Sequence, residues 1–240
     1  MNSRSESKYK GYQMIEFKLN GYQGYVILPE KPVKGYKWIW RTEFLGDFDQ
    51  ADMELVRLGW HLVYYKISNQ YGSPDAVNLM AGFQEYIEKE FKLYHKTVLF
   101  GFSRGGLYAV NYAVAYPEKV ASIYLDAPVI DMQSWPKVRS SKETWEECLR
   151  CYGFNEKTAL TYSHNQLGRA TILAKEKIPV LLVTGDCDGT VPYEENGAPF
   201  VARYRELSAD IKVYIKKGCD HHPHSLSDVT PIVDFVTNSD

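Results

Sequence analysis

Cysteine is scarce in this chain, with four in 240 residues, which excludes a small domain stapled by disulfides. Cys148 and Cys151 have C-x-x-C spacing, but no second pair accompanies them. A structural zinc site needs two further ligands, so these are expected to be ordinary reduced thiols. No run approaches the roughly 20 apolar residues that cross a bilayer. The segment Met1–Tyr12 lacks the apolar core of a secretory signal, and the expected location is the cytoplasm. No long basic run occurs and the formal charge is -2, which argues against nucleic acid or an anionic membrane as partner. With 45% hydrophobic residues, a disordered or fibrous chain is excluded.

What is present is an alternation of short β-prone runs and helical periods. Met14–Leu19 and Tyr22–Leu28 flank Asn20-Gly21, the pair that suits a type I′ hairpin because both central residues need positive φ. Trp38-Ile39-Trp40 is a wholly apolar strand. Phe48, Ala51, Leu55 and Leu58 then recur at helical spacing up to Gly59. After the strand Trp60–Ile67, the residues Ala76, Leu79, Met80, Phe83, Ile87 and Phe91 repeat at helical spacing behind Pro74. Further strands are expected at Thr97–Phe100, Val120–Leu125, Ile178–Thr184 and Ile211–Ile215. Helices are expected at Leu107–Ala115, Ala198–Leu207 and after Thr230. This pattern predicts one α/β domain over residues 1–240, with a mostly parallel twisted sheet of about eight strands and helices on both faces. Between Val129 and Leu173 no strand is evident, and a small helical cap is expected there.

Chemistry concentrates in three loops. Gly101-Phe102-Ser103-Arg104-Gly105 matches G-x-S-x-G and sits between a strand and a helix. A serine on such a turn has a strained backbone that leaves little room two residues to either side, and its hydroxyl lies at a helix N-terminus. The alternative is a glycine-rich β–α turn with an incidental serine. A serine nucleophile needs a base. Two later strands end in Gly185-Asp186-Cys187-Asp188-Gly189-Thr190-Val191-Pro192 and in Gly218-Cys219-Asp220-His221-His222-Pro223-His224. Asp186, Asp188 and Asp126 are candidate acids; His221, His222 and His224 are candidate bases. The three clustered histidines raise a metal site, but no companion ligand pattern supports one. His61, His95 and His164 carry no motif and are read as structural or exposed.

The elbow, the G-D-x-D-x-x-V-P loop and the G-x-x-H loop together resemble the α/β-hydrolase superfamily, over most of the chain. That resemblance implies Ser103 as nucleophile, Asp188 as acid and His221 as base, without a cofactor. Trp38–Arg41, Ser103-Arg104-Gly105-Gly106-Leu107, Asp126–Val129, Ser134-Trp135-Pro136 and His221-His222-Pro223-His224-Ser225-Leu226 are similar to a bacterial subgroup whose members often occur near carbohydrate esterases. The resemblance therefore implies a serine hydrolase acting on a small-molecule carboxylic ester, an acylated carbohydrate among them. Peptidase and thioesterase activity and a catalytically silent ligand-binding relative are the alternatives.

One oxyanion donor is expected from the backbone N–H of Arg104, the residue after the nucleophile. The second is expected from Arg41 or Thr42, although the usual glycines are missing from Trp40-Arg41-Thr42-Glu43. The Arg41 side chain is expected either to hold a substrate carboxylate or to pair with Glu43 or Asp47. Trp40, Tyr71 and Trp135 lie on segments expected to border the site, where flat rings suit sugar stacking, with core packing as the alternative. Trp135 in particular is expected to line the pocket from the cap.

Overall fold

The computed structural model describes residues 4–163 and 166–239. Among these residues nine strands form one sheet: β1 (Arg4–Tyr9), β2 (Tyr12–Leu19), β3 (Tyr22–Ile27), β4 (Trp38–Arg41), β5 (His61–Lys66), β6 (Thr97–Phe102), β7 (Val120–Asp126), β8 (Val180–Gly185) and β9 (Ile211–Lys216). Their spatial order is β1-β2-β3-β5-β4-β6-β7-β8-β9. The first three strands form an antiparallel meander that joins β5 antiparallel, and every pair from β5 through β9 is parallel. At the expected hairpin Asn20 and Gly21 have φ of 50° and 84°, as a type I′ turn requires. The extra strand is β1. Its sequence, Arg-Ser-Glu-Ser-Lys-Tyr, carries no apolar alternation because it is an edge strand, mostly exposed, where charge guards against further pairing.

The central strands are buried from end to end: every residue of β4, β6, β7 and β8 except Ala121 is inaccessible. Both their faces are covered, so no alternation marks them in sequence. Helices α1 (Gln50–Arg57) and α8 (Thr230–Asn238) close one face through Leu55, Ile232 and Phe235. On the other face lie α2 (Pro74–Phe91), α3 (Gly105–Ala115), and two later helices, α6 (Gln166–Lys175) and α7 (Gly197–Glu206). Ser73 caps α2, accepting a hydrogen bond from Ala76 N–H, with Pro74 at the first helical position.

Between β7 and β8 the chain forms a helical turn at Gln133–Val138, then α4 (Lys142–Tyr152), α5 (Glu156–Ser163) and α6. Leu173 and Ala170 of α6 pack in the same cluster as α3 and α7. The last part of the segment 129–173 is therefore the crossover helix that joins two parallel strands, and only the portion before α6 lies outside the sheet layers. That portion has its own small cluster of Met132, Trp145, Cys148, Tyr152 and Ala159, seated on Leu107 and Tyr71. Tyr152 anchors it: its hydroxyl donates to Tyr71 O at 2.7 Å and accepts from Asn111 Nδ2 at 3.0 Å. No helix of the described residues is long and apolar enough to cross a membrane.

Candidate active site

Strand β6 delivers Ser103 at the carboxyl edge of the sheet, with φ of 46°. A side chain rarely adopts this region, and the turn is held from both sides. Ser103 N–H donates to Asp126 O at 2.9 Å, and Ser103 O accepts from Val129 N–H at 2.9 Å. Gly101 is required by the close packing: a Cβ there would stand 3.0 Å from both Ala109 Cβ and Leu125 Cδ2.

The three motif loops converge. Ser103 Oγ lies 3.0 Å from His221 Nε2, and His221 Nδ1 lies 2.7 Å from Asp188 Oδ2. A carboxylate only accepts, so it fixes the proton on Nδ1 and leaves the Nε2 lone pair facing the serine. Asp188 is itself held, its Oδ1 accepting from Thr190 N–H at 2.9 Å and Val191 N–H at 2.7 Å. Gly185 lets the acid and base loops meet, since a Cβ there would collide with the backbone carbonyl of Cys219. Asp186 does not face a histidine. Its Oδ1 accepts from Gly218 N–H at 2.6 Å, pinning one loop to the other. Asp220 accepts from the N–H of His221 and of Gly189, and these bonds hold its carboxyl below the usual range.

Asp126 forms a second aspartate–histidine pair that the sequence does not announce. Its Oδ1 lies 2.7 Å from His224 Nδ1, while Oδ2 accepts from Ser225 N–H at 2.8 Å and the Tyr124 hydroxyl at 2.5 Å. Burial beside that carboxylate raises the Tyr124 phenol well above its ordinary value. His222 is exposed and stacks on Phe48, with ring centroids 5.6 Å apart. Burial, then the neighbouring His224 and His221, lower its pKa. A cavity of about 280 Å³ opens at Ser103, lined by Phe44, Asp47, Phe48, Phe102, His221, His222 and His224. Sequence reasoning missed the phenylalanines. Phe102 could have been read from its place before the serine; Phe48, expected as the first residue of a helical period, instead precedes α1 in the irregular loop that also holds Phe44.

Several expected site residues are elsewhere. Trp40 is 1% exposed and packs in the core between Trp38, Phe83 and Tyr112, because its side chain leaves the strand toward the α2–α3 face. Arg41 is fully buried, its Nε 3.1 Å from Asp52 Oδ1, its guanidinium donating to Asp47 O and lying 3.7 Å from the Phe102 ring centroid. Its partner is Asp52 on α1, not a substrate, Glu43 or the Asp47 carboxylate. Burial raises the Asp52 pKa against the pull of Arg41. The amides expected as the second oxyanion donor point into the sheet. Thr42 N–H donates to Phe100 O at 3.1 Å, and since successive residues of a strand alternate, the Arg41 N–H turns toward β5.

Tyr71 is 1% exposed, with its hydroxyl donating to Glu147 on α4 at 2.7 Å. Trp135 lies over it, ring centroids 6.2 Å apart, and packs in the cluster of the 129–163 segment rather than on the wall of the Ser103 cavity. Its backbone is extended there (φ −143°, ψ 130°), which lays the ring on Tyr71. The Arg104 side chain turns away from the serine to Asn69 and the buried Glu43. Burial raises the Glu43 pKa, opposed first by Arg104. His61 is buried at the start of β5 and His95 is exposed, while His164 lies outside the described residues. All four cysteines are free thiols.

The model of the prolyl oligopeptidase family matches residues 61–238. No curated protein sequence matches the chain. Est1E from Butyrivibrio proteoclasticus superposes with a TM-score of 0.65 at 17% identity, covering 98% of each chain. A puromycin-hydrolyzing peptidase from Mycobacterium tuberculosis gives 0.66 at 14% identity over 98% of this chain. The acylaminoacyl peptidase of Pyrococcus horikoshii gives 0.64 at 16% identity over 92%. The present chain spans 37% of the length of each of these two peptidases. The fold is that of the α/β-hydrolases.

Proposed function

The chain belongs to the prolyl oligopeptidase family, a family of serine hydrolases, and from that premise we propose that it cleaves a small carboxylic ester through an acyl-serine intermediate. The hydrogen-bonded series Ser103–His221–Asp188, opening into a small cavity walled by three phenylalanines, carries this reading. His221 Nε2 takes the Ser103 proton as Oγ attacks the ester carbonyl carbon. The tetrahedral oxyanion is stabilised by the backbone N–H of Arg104 and by one from the loop after β4. With Arg41 and Thr42 directed into the sheet, that donor comes from the Glu43–Phe44 stretch that follows, whose Phe44 lines the cavity. The imidazolium, oriented and stabilised by Asp188, then protonates the leaving alcohol, and a water molecule activated by the same Nε2 hydrolyses the acyl-serine. The cavity of about 280 Å³ suits an acetyl or similarly short acyl group. The segment before α6 acts as a cap that holds Tyr71 beside the elbow.

Family membership itself favours a second reading, in which the same residues cleave a peptide bond. A panel of p-nitrophenyl esters against peptidyl p-nitroanilides, run on the parent and on Ser103→Ala, decides between them. The ester reading expects kcat/KM for short acyl esters to exceed that for every anilide, with both abolished in the variant. Faster turnover of an anilide selects the peptidase. Full activity in Ser103→Ala refutes both.

A further inference from the structure

His221, His222 and His224 occupy one wall of the Ser103 cavity, and each can bring a ring nitrogen within 4.8 Å of the other two. Their ring centroids form a nearly equilateral triangle with sides of 4.9, 4.8 and 4.8 Å, and the ring planes are inclined by 71°, 77° and 89°. Three imidazoles bound to one tetrahedral cation at a metal–nitrogen distance of ~2.0–2.1 Å have ring centres about 5 Å apart. The rings thus stand at the required spacing, and their nitrogens, within 4.8 Å of one another, must close to about 3.4 Å on binding.

Two of the three rings are prepared as ligands in a further way. His221 and His224 each give Nδ1 to a buried carboxylate, Asp188 and Asp126, both at 2.7 Å. A carboxylate on Nδ1 fixes the tautomer, leaves a lone pair on Nε2 and raises its basicity, which is the arrangement found behind metal-bound histidines. The pairing of His221 serves catalysis in the mechanism above. The pairing of His224 has no part in that mechanism. The two carboxylates also place compensating negative charge behind a divalent cation, and a solvent molecule would complete the tetrahedral set.

We propose that His221, His222 and His224 form a three-histidine site for a divalent cation of the zinc class, and that its occupation switches the hydrolase off. Imidazole ligands select Zn²⁺, Co²⁺, Ni²⁺ or Cu²⁺ over Mg²⁺ and Ca²⁺. A cation on His221 Nε2 takes the lone pair that would accept the Ser103 proton, so metal binding and nucleophile activation exclude each other. The inhibition rests on the catalytic reading given above; the binding does not.

The test separates the two. Metal-stripped protein is titrated with Co²⁺, followed by visible absorption, and with Zn²⁺ in competition with a chromogenic chelator. One ion per chain is expected, with the intense visible bands of tetrahedral Co²⁺, in the parent and in Ser103→Ala alike, and no competition from Mg²⁺. His222→Ala and His222→Gln change only an exposed position, and melting temperatures check that both fold. Each is expected to weaken Zn²⁺ binding by at least about tenfold. Unchanged Zn²⁺ affinity in both folded variants, or no one-to-one binding in the parent, overturns the site. In the parent, saturating Zn²⁺ is expected to lower ester hydrolysis more than tenfold, with recovery on adding chelator. Binding with an undiminished rate overturns the switch. Binding by a protein that hydrolyses nothing supports the site and refutes the function proposed above.

Discussion

Replacing Asp188 by asparagine, and separately Asp126 by asparagine, asks which of the two aspartate–histidine pairs serves Ser103. In Asp188 the Oδ1 atom accepts from two backbone N–H groups, Thr190 and Val191. The asparagine oxygen must stay on that side, because an NH₂ there would face two donors. The amide NH₂ then points at His221 Nδ1, which must become an acceptor, and the ring proton moves to Nε2. A protonated Nε2 cannot take the Ser103 proton. The analogous change in serine hydrolases lowers kcat by ~10⁴, or about 5.4 kcal/mol of transition-state stabilisation. In Asp126→Asn the same reasoning keeps the oxygen on Ser225 N–H and the Tyr124 hydroxyl and turns the NH₂ to His224. That ring makes no contact with the serine in the mechanism. The effect there is on stability, about 1–3 kcal/mol for a perturbed buried hydrogen-bonded group, with kcat/KM reduced less than tenfold. The assay is kcat/KM on p-nitrophenyl acetate in chelator, paired with urea denaturation of each variant. A loss of activity in Asp126→Asn equal to or larger than that in Asp188→Asn refutes the assignment of Asp188 as the acid.

Two further outcomes are expected. Arg41→Ala strands the Asp52 carboxylate, at 0% exposure, without its counter-charge and is expected to destabilise the fold by about 3–5 kcal/mol. Urea denaturation measures this, and a loss below about 1 kcal/mol places the pair with weak surface bridges instead. Burial lowers the pKa of His61, opposed by a hydrogen bond to Lys37 O. Its neutral form is therefore favoured by folding, and the contribution is present above the ordinary histidine value of about 6.5 and lost as pH falls through the folded-state value. The loss of stability between pH 7.5 and pH 5 is expected to be smaller in His61→Gln than in the parent, and equal losses refute the linkage.

The order of elements and the three reactive loops were legible in the chain because each depends on local chemistry. Asn20-Gly21 meets a backbone demand within two residues, Ser73-Pro74 starts a helix, and the glycines around Ser103 relieve contacts that the turn itself creates. The convergence of Ser103, Asp188 and His221 also follows from order, since parallel strands deliver their following loops to one edge. Which side chains face that edge was decided only by tertiary packing. A strand covered on both faces has no alternation, so nothing in Trp38-Ile39-Trp40-Arg41 says that Trp40 points into the α2–α3 core or that Arg41 meets Asp52 on α1. Edge strand β1 carries charge where a strand signal would stand. The Asp126–His224 pair joins residues 98 positions apart; its aspartate ends one strand and its histidine sits beyond another, and no spacing rule links them. Trp135 and Tyr71 were found as aromatics near the site, but only the seating of α4 on the loop after β5 settles that they pack on each other. Local backbone constraints are written in neighbouring residues; the partner of a buried charge or ring is fixed by which surfaces meet when the layers close.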